Sequence, residues 1–222
     1  MGTIEIIKIL KETVKDEDLT LDLDQYNLDF EISPVEFIKY AYSDLESETE
    51  HKYVNALSNA KRAIDSQIEG LLKLYGLHKK SKKQNWGFPK KLEPLNRIGI
   101  ITPQILKKLN QQRNILEHEF IKPNNEKVED FVDIASLFIE SSNKEIFNYP
   151  YIFEAFLNNP DRAVYCQLFP EKGIKIFVFD YTGYCDKTDS GGKKFEQLFT
   201  SEHENYIEFL KLYRKHFEQL HY

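Results

Sequence analysis

Apolar residues recur along the chain in two rhythms, and the change from one to the other sets out its plan. Steps of three and four put side chains on one face of an α-helix. They run through Tyr53, Leu57, Ala60, Ile64, Ile68, Leu71 and Tyr75, with Gly76 as the stop. The same spacing links Leu106, Leu109, Arg113, Leu116 and Phe120 and, after Pro123, Val128, Phe131, Val132, Ala135, Phe138 and Ile139. Ser33-Pro34 and Thr102-Pro103 each set a capping hydroxyl before a proline, the order that opens a helix. A helix is therefore expected from Pro34 to about Asp44, and another after Thr102. A short amphipathic helix is predicted over Ile4–Val14, and a last one follows the Ser201–Glu204 capping box, striped by Tyr206, Leu210, Tyr213, Phe217 and Leu220.

Alternation of period two, the mark of a strand with one buried face, appears at Leu19, Leu21 and Leu23 and again at Tyr26, Leu28, Phe30 and Ile32. Ala163–Phe169 and Ile174–Tyr181 are β-branched and aromatic runs joined through Pro170-Glu171-Lys172-Gly173, which predicts a hairpin. The segment His78–Leu95 follows neither rhythm, holds two prolines around Trp86, and reads as a long loop of the kind kept for binding. The pattern predicts a mainly α fold. An antiparallel helical bundle spans residues 34–145, preceded over 1–33 by a helix and short strands and followed over 146–222 by a small α+β extension of hairpin and helix.

Composition narrows the chemistry. In 222 residues, 41% are apolar, enough to bury a substantial core and to exclude a disordered chain. No run of eighteen apolar residues occurs and the first fifteen mix charge with hydrophobe, so neither a membrane partner nor a signal peptide is expected and the chain reads as cytoplasmic. Cys166 and Cys185 lie outside any CxxC or Cys/His ladder, which excludes a disulfide framework and a standard zinc site. Asp16, Asp18, Asp22 and Asp24 lack the glycine and closing glutamate of a calcium loop, and His203, His216 and His221 have no partner four residues away, so no metal is expected.

The net charge of −6 conceals a strong asymmetry. Between His78 and Arg113 there are ten cations and one anion, whereas residues 1–50 carry fourteen acids against four lysines. Lys79, Lys80, Lys82, Lys83, Lys90 and Lys91 surround Trp86. Cations with an aromatic among them suit RNA, because the ring can stack on an unpaired base; a soluble lysine-rich linker fits the same composition.

The most specific stretch is Gln112-Arg113-Asn114-Ile115-Leu116-Glu117-His118-Glu119-Phe120. On a helix Asn114 and His118 share a face with Arg113 beside them. As geometry alone the spacing favours an ordinary arrangement, an Arg113–Glu117 pair with His118 as a hydrogen-bonded core residue. The motif Arg113-Asn114 with His118 five after the arginine, on a late helix of a bundle, resembles the R-(polar)-x(3 to 5)-H signature of HEPN domains. Leu116-Glu117-His118 with Phe120 is similar to wording common in them. The alanines of Tyr53–Leu57 and Asn59–Ala63 likewise resemble an early HEPN helix.

The resemblance covers roughly residues 34–142. It implies a HEPN-like bundle and a metal-independent, cofactor-free endoribonuclease of toxin or antiphage systems, with Arg113, Asn114 and His118 catalytic where two copies meet in a homodimer. RNA and an antitoxin or inhibitor protein would be its partners. Members of the family that bind nucleic acid or protein without cutting, or that regulate a nucleotidyltransferase, mark the alternative.

Overall fold

The computed structural model describes residues 2–11, 19–100, 124–156, 162–180 and 192–218. In chain order these hold α1 (Thr3–Lys11), β1 (Leu19–Asp24), α2 (Pro34–Glu46), α3 (Lys52–Leu74), α4 (His78–Lys83) and α5 (Phe88–Arg97). There follow α6 (Asn125–Phe147), β2 (Tyr149–Phe156), β3 (Arg162–Phe169), β4 (Gly173–Asp180), β5 (Lys193–Phe199) and α7 (Tyr206–Glu218). They form two compact units, the first from Met1–Gln25, Lys73–Lys83 and Asn148–Tyr222, the second from Tyr26–Leu72 and Gln84–Phe147.

The first unit is built on a five-stranded sheet in the order β1-β2-β3-β4-β5, every neighbouring pair antiparallel. The expectation of a mainly α fold with a small β extension is therefore wrong: the protein is mixed α/β. Two strands escaped the pattern for physical reasons. Pro150 interrupts β2, and β5 is an edge strand paired only to β4, with Phe199 as its one buried side chain, so neither shows a clean apolar alternation. In chain order β5 thus stands between the β3–β4 hairpin and the last helix.

On β3 and β4 the alternation sends Val164, Cys166, Leu168, Ile174, Ile176 and Val178 into the core. Phe209, Leu210 and Tyr213 of α7 are buried in the same unit, with the Phe153 and Tyr213 rings 5.6 Å apart and those of Phe199 and Phe209 4.2 Å apart. Burial pushes the Cys166 thiol well above its ordinary range, which leaves it a packing residue. The β3–β4 hairpin is present as expected, with Phe169 paired to Gly173. Glycine is required at its end, since φ is +147° and a Cβ would run into the Phe199 carbonyl.

Helix α7 begins at Tyr206 instead of at the expected Ser201–Glu204 box. Ser201 instead gives its carbonyl to Lys80 Nζ, and His203 Nδ1 accepts from Asn205 N at 3.1 Å.

The second unit is helical among its described residues. Ser33 caps α2 as predicted: its hydroxyl accepts from Glu36 N at 3.2 Å while Glu36 Oε2 accepts from Ser33 N at 2.8 Å. The Ser33 backbone N–H first, and the Ser33 hydroxyl next, donate to the Glu36 carboxyl and hold it below its usual range.

The period-two run from Tyr26 to Ile32 is not a strand. Tyr26, Leu28 and Phe30 are indeed half-buried and alternate with exposed neighbours, but the surface beneath them is helical. Tyr26 N donates to Ile146 O at 2.8 Å, and Leu28 lies so close to Gly70 that a Cβ there would come within 2.9 Å of its methyls.

The expected loop from His78 to Leu95 holds α4 and α5. Phe88, Leu92, Leu95 and Ile98 are buried at helical spacing, a rhythm that Pro89 and Pro94 masked in the sequence.

Candidate functional site

Arg113, Asn114 and His118, with Glu117 and Phe120 beside them, lie outside the described residues. The helices that flank them in sequence are described. In the second unit Tyr53 Oη of α3 reaches Glu129 Oε1 of α6 at 3.5 Å, and about four turns further along both helices Gln67 Nε2 donates to Ser142 Oγ at 2.8 Å and to Asn143 Oδ1 at 3.1 Å. Equal advance along both partners means that α3 and α6 run parallel. Helix α2 joins them through Tyr42 Oη, which donates to Asp133 Oδ1 at 2.8 Å, and through Asp44, which accepts from Asn59 Nδ2 at 2.8 Å. Desolvation first, and the bond to Asp133 next, raise the Tyr42 hydroxyl above its usual pKa, so it acts as a proton donor in this contact.

The lysines expected to bind RNA do not belong to one loop. Lys79, Lys80, Lys82 and Lys83 fall on α4 in the first unit, while Trp86, Lys90 and Lys91 fall in the second. Lys79, Lys82, Lys83 and Lys90 are exposed. Lys80 is half-buried, its ammonium spent on the Ser201 carbonyl, and Lys91 is half-buried in an ion pair with Glu69. Trp86 is half-buried as well. Its indole N–H donates to Gln84 Oε1 at 2.9 Å, and the Lys90 ammonium sits 5.7 Å from the ring centroid. That pairing sets an aromatic face next to an exposed cation, whereas Lys80 and Lys91 contribute chiefly to the fold.

The end of the sheet that carries the β3–β4 turn also carries α4. Glu171 N donates to Lys73 O at 2.8 Å, and Lys80 meets Ser201 just beyond β5. Lys172, on the turn itself, is exposed there too.

A second feature went unread in the sequence. The positions of β3 and β4 that alternate with the aliphatic core are Tyr165, Gln167, Phe169, Lys175, Phe177 and Phe179, all half-buried. The signal was available in Ala-Val-Tyr-Cys-Gln-Leu-Phe and Ile-Lys-Ile-Phe-Val-Phe, where aliphatic and aromatic residues alternate instead of apolar and polar.

Among the described residues no cluster of three or more His, Cys, Asp or Glu side chains is placed to hold a metal ion. None of the described helices is long and apolar enough to cross a membrane. Comparison with protein-family models, with curated proteins and with solved structures finds no match.

Proposed function

We propose that the protein is a metal-independent endoribonuclease of the HEPN kind, which cuts RNA through the neighbouring 2′-OH and acts in the cytoplasm as a toxin or antiphage effector. The observation that carries this reading is the Arg113-Asn114-x3-His118 motif, set in sequence between α5 and α6.

Cutting RNA without a metal requires a group to move the 2′-OH proton, a donor for the leaving 5′ oxygen, and positive charge on the phosphorane-like transition state. His118 serves proton transfer, since imidazole titrates near neutrality. Arg113 offers the phosphate a planar fork of donors, and Asn114 orients the histidine or the scissile phosphate. One chain has one His118, so a homodimer that pairs two of them divides the acid and base roles.

The test is cleavage of a structured RNA in EDTA by the parent and by His118→Ala. The parent should cut, leaving 2′,3′-cyclic phosphate ends, and a 2′-deoxy nucleotide at the scissile position should block it. His118→Ala should lose about 10²- to 10⁴-fold in rate while still binding. Equal cutting after replacement of both Arg113 and His118 would assign the activity elsewhere. Binding by the parent without cutting would leave a noncatalytic nucleic-acid module.

A further inference from the structure

We propose that the sheet of the first unit joins one copy of the chain to the next, with β5 of one copy lying beside β1 of another. These two strands close the sheet on its opposite sides. Each is hydrogen-bonded along one side only, β1 to β2 and β5 to β4, and among the described residues no other backbone bond reaches either strand. Every second N–H and C=O of both strands therefore points away from the sheet, a row of donors and acceptors shaped for another extended chain. The side chains leave that row open. In β5, Lys193, Lys194, Glu196, Gln197 and Leu198 are all exposed, and since consecutive positions point to opposite faces, neither face is covered there. In β1, Asp22, Leu23 and Asp24 are exposed. Each edge thus shows one large apolar side chain, Leu198 at 42% exposure and Leu23 at 47%. Register irregularities fall between Asp22 and Leu23 and beside Lys194, which leaves Leu19–Asp22 and Phe195–Phe199 as regular stretches.

Charge selects the occupant. Strand β1 carries Asp22 and Asp24 with no cation, and Asp24 accepts from Tyr149 Oη at 3.3 Å. Strand β5 carries Lys193 and Lys194 against Glu196, whose carboxylate Lys175 of β4 also holds. One edge is negative and the other positive. Two β1 edges would oppose carboxylates, and two β5 edges would oppose ammoniums, the device by which sheet edges are kept apart. A β5 edge beside a β1 edge meets neither obstacle. What β5 fits is an acidic extended strand that bears leucine, and Leu-Thr-Leu-Asp-Leu-Asp of β1 has that composition. A nucleic-acid strand would satisfy the lysines but not the row of backbone groups. The contact is heterologous, since a copy that uses its β1 leaves its β5 open, so copies add in a row. Every neighbouring pair in the sheet is antiparallel, so β1 and β5 point the same way, and copies related by a simple advance across the sheet pair as parallel strands.

The inference stands apart from the nuclease reading, and its test measures assembly instead of cleavage. Full-length protein is followed by sedimentation velocity from micromolar concentration upward. The weight-average mass should keep climbing instead of levelling at a closed dimer, and added salt should suppress the climb. Lys193→Glu with Lys194→Glu makes both edges acidic, whereas Asp22→Lys with Asp24→Lys makes both basic. Either pair of substitutions should weaken association by about tenfold or more, because like charges then face each other. An equal mixture of the two proteins should restore it, since each acidic edge of one finds a basic edge on the other. The four side chains are exposed, and unchanged circular dichroism checks that the variants fold.

A second measurement alters no charge. Leu23→Cys and Leu198→Cys, each combined with Cys185→Ser, are treated with a short bismaleimide, to which the buried Cys166 is inert. The mixed sample should form covalent dimers several-fold faster than either protein alone. A mass that stops rising at the dimer, charge variants that assemble as the parent does, a mixture no better than its parts, or cross-links as abundant in one cysteine variant by itself would overturn the inference. Assembly as described without RNA cleavage by the parent would remove the nuclease reading alone.

Discussion

Gly76 occupies a position that alanine should not tolerate, and the cost can be built from its surroundings. Its φ is +64°, the left-handed region in which a Cβ costs about 1–2 kcal/mol. An added Cβ would also stand 2.9 Å from Tyr206 Oη, 3.2 Å from Gly173 N and 3.3 Å from the Lys172 carbonyl carbon. Backbone atoms yield little, so the tyrosine must move. In moving it gives up the 2.8 Å bond from its hydroxyl to Tyr75 O, a buried hydrogen bond worth about 1 kcal/mol. Strain and bond together come to about 2–3 kcal/mol, and alanine recovers roughly 0.5–1 by narrowing the unfolded ensemble.

Gly76→Ala should therefore lower the free energy of urea unfolding, followed by far-ultraviolet circular dichroism, by about 1–2.5 kcal/mol. Tyr206→Phe separates the two contributions. Alone it should cost about 1 kcal/mol, and in its background Gly76→Ala should cost only the backbone strain, so the pair falls short of additivity by about 1 kcal/mol. An alanine variant as stable as the parent, or one strictly additive with Tyr206→Phe, would refute the reasoning.

Replacing Lys79, Lys82 and Lys83 together with alanine should lower the log–log salt slope of duplex RNA binding by up to roughly 2 to 3. Adding Lys80→Ala should change thermal stability more than slope, because its ammonium is engaged with Ser201. Glu196 is held at about 2, against an ordinary 4.5, by its bonds to Lys175 and then Lys193. Its folded-state pKa is depressed, so its stabilising effect is present above about 4.5 and fades as pH falls toward 2. The melting temperatures of wild type and Glu196→Gln should differ near neutrality and converge in acid, and should also converge in high salt. Light scattering at micromolar concentration should return about twice the chain mass, and a clean monomer would remove the shared active site.

Local cues made α2, α3 and α6 legible. Ser33 and Pro34 announce one start, Gly76 one stop, and the stripes of α3 and α6 run for many turns with no proline inside them. What was hidden depended on tertiary context. Proline at positions 89 and 94 argued against a helix whose apolar spacing was nevertheless present, because the first turn of α5 accommodates Pro89, while burial of Pro94 and Leu95 outweighs the one ladder bond that Pro94 removes. Alternation at Tyr26–Phe30 correctly reported one buried face, yet period two cannot say whether the surface beneath is sheet or helix. The candidate catalytic residues were legible as a motif, whereas the Tyr165–Phe177–Phe179 face was not, since its meaning depends on the register between β3 and β4.

The pairing of β1 with β2 joins residues 125 apart in sequence, as the contact of Asp24 with Tyr149 marks. During synthesis at about 5–20 residues per second, β1 emerges roughly 6 to 25 s before the strand it must join. For that interval it is an orphan segment of alternating leucines, the composition that seeds intermolecular assembly. Asp22 and Asp24 act here as gatekeepers, placing like charges wherever two such segments would meet. The acidity that reads in the finished protein as mere surface thus protects the nascent chain while its first strand waits for a mate.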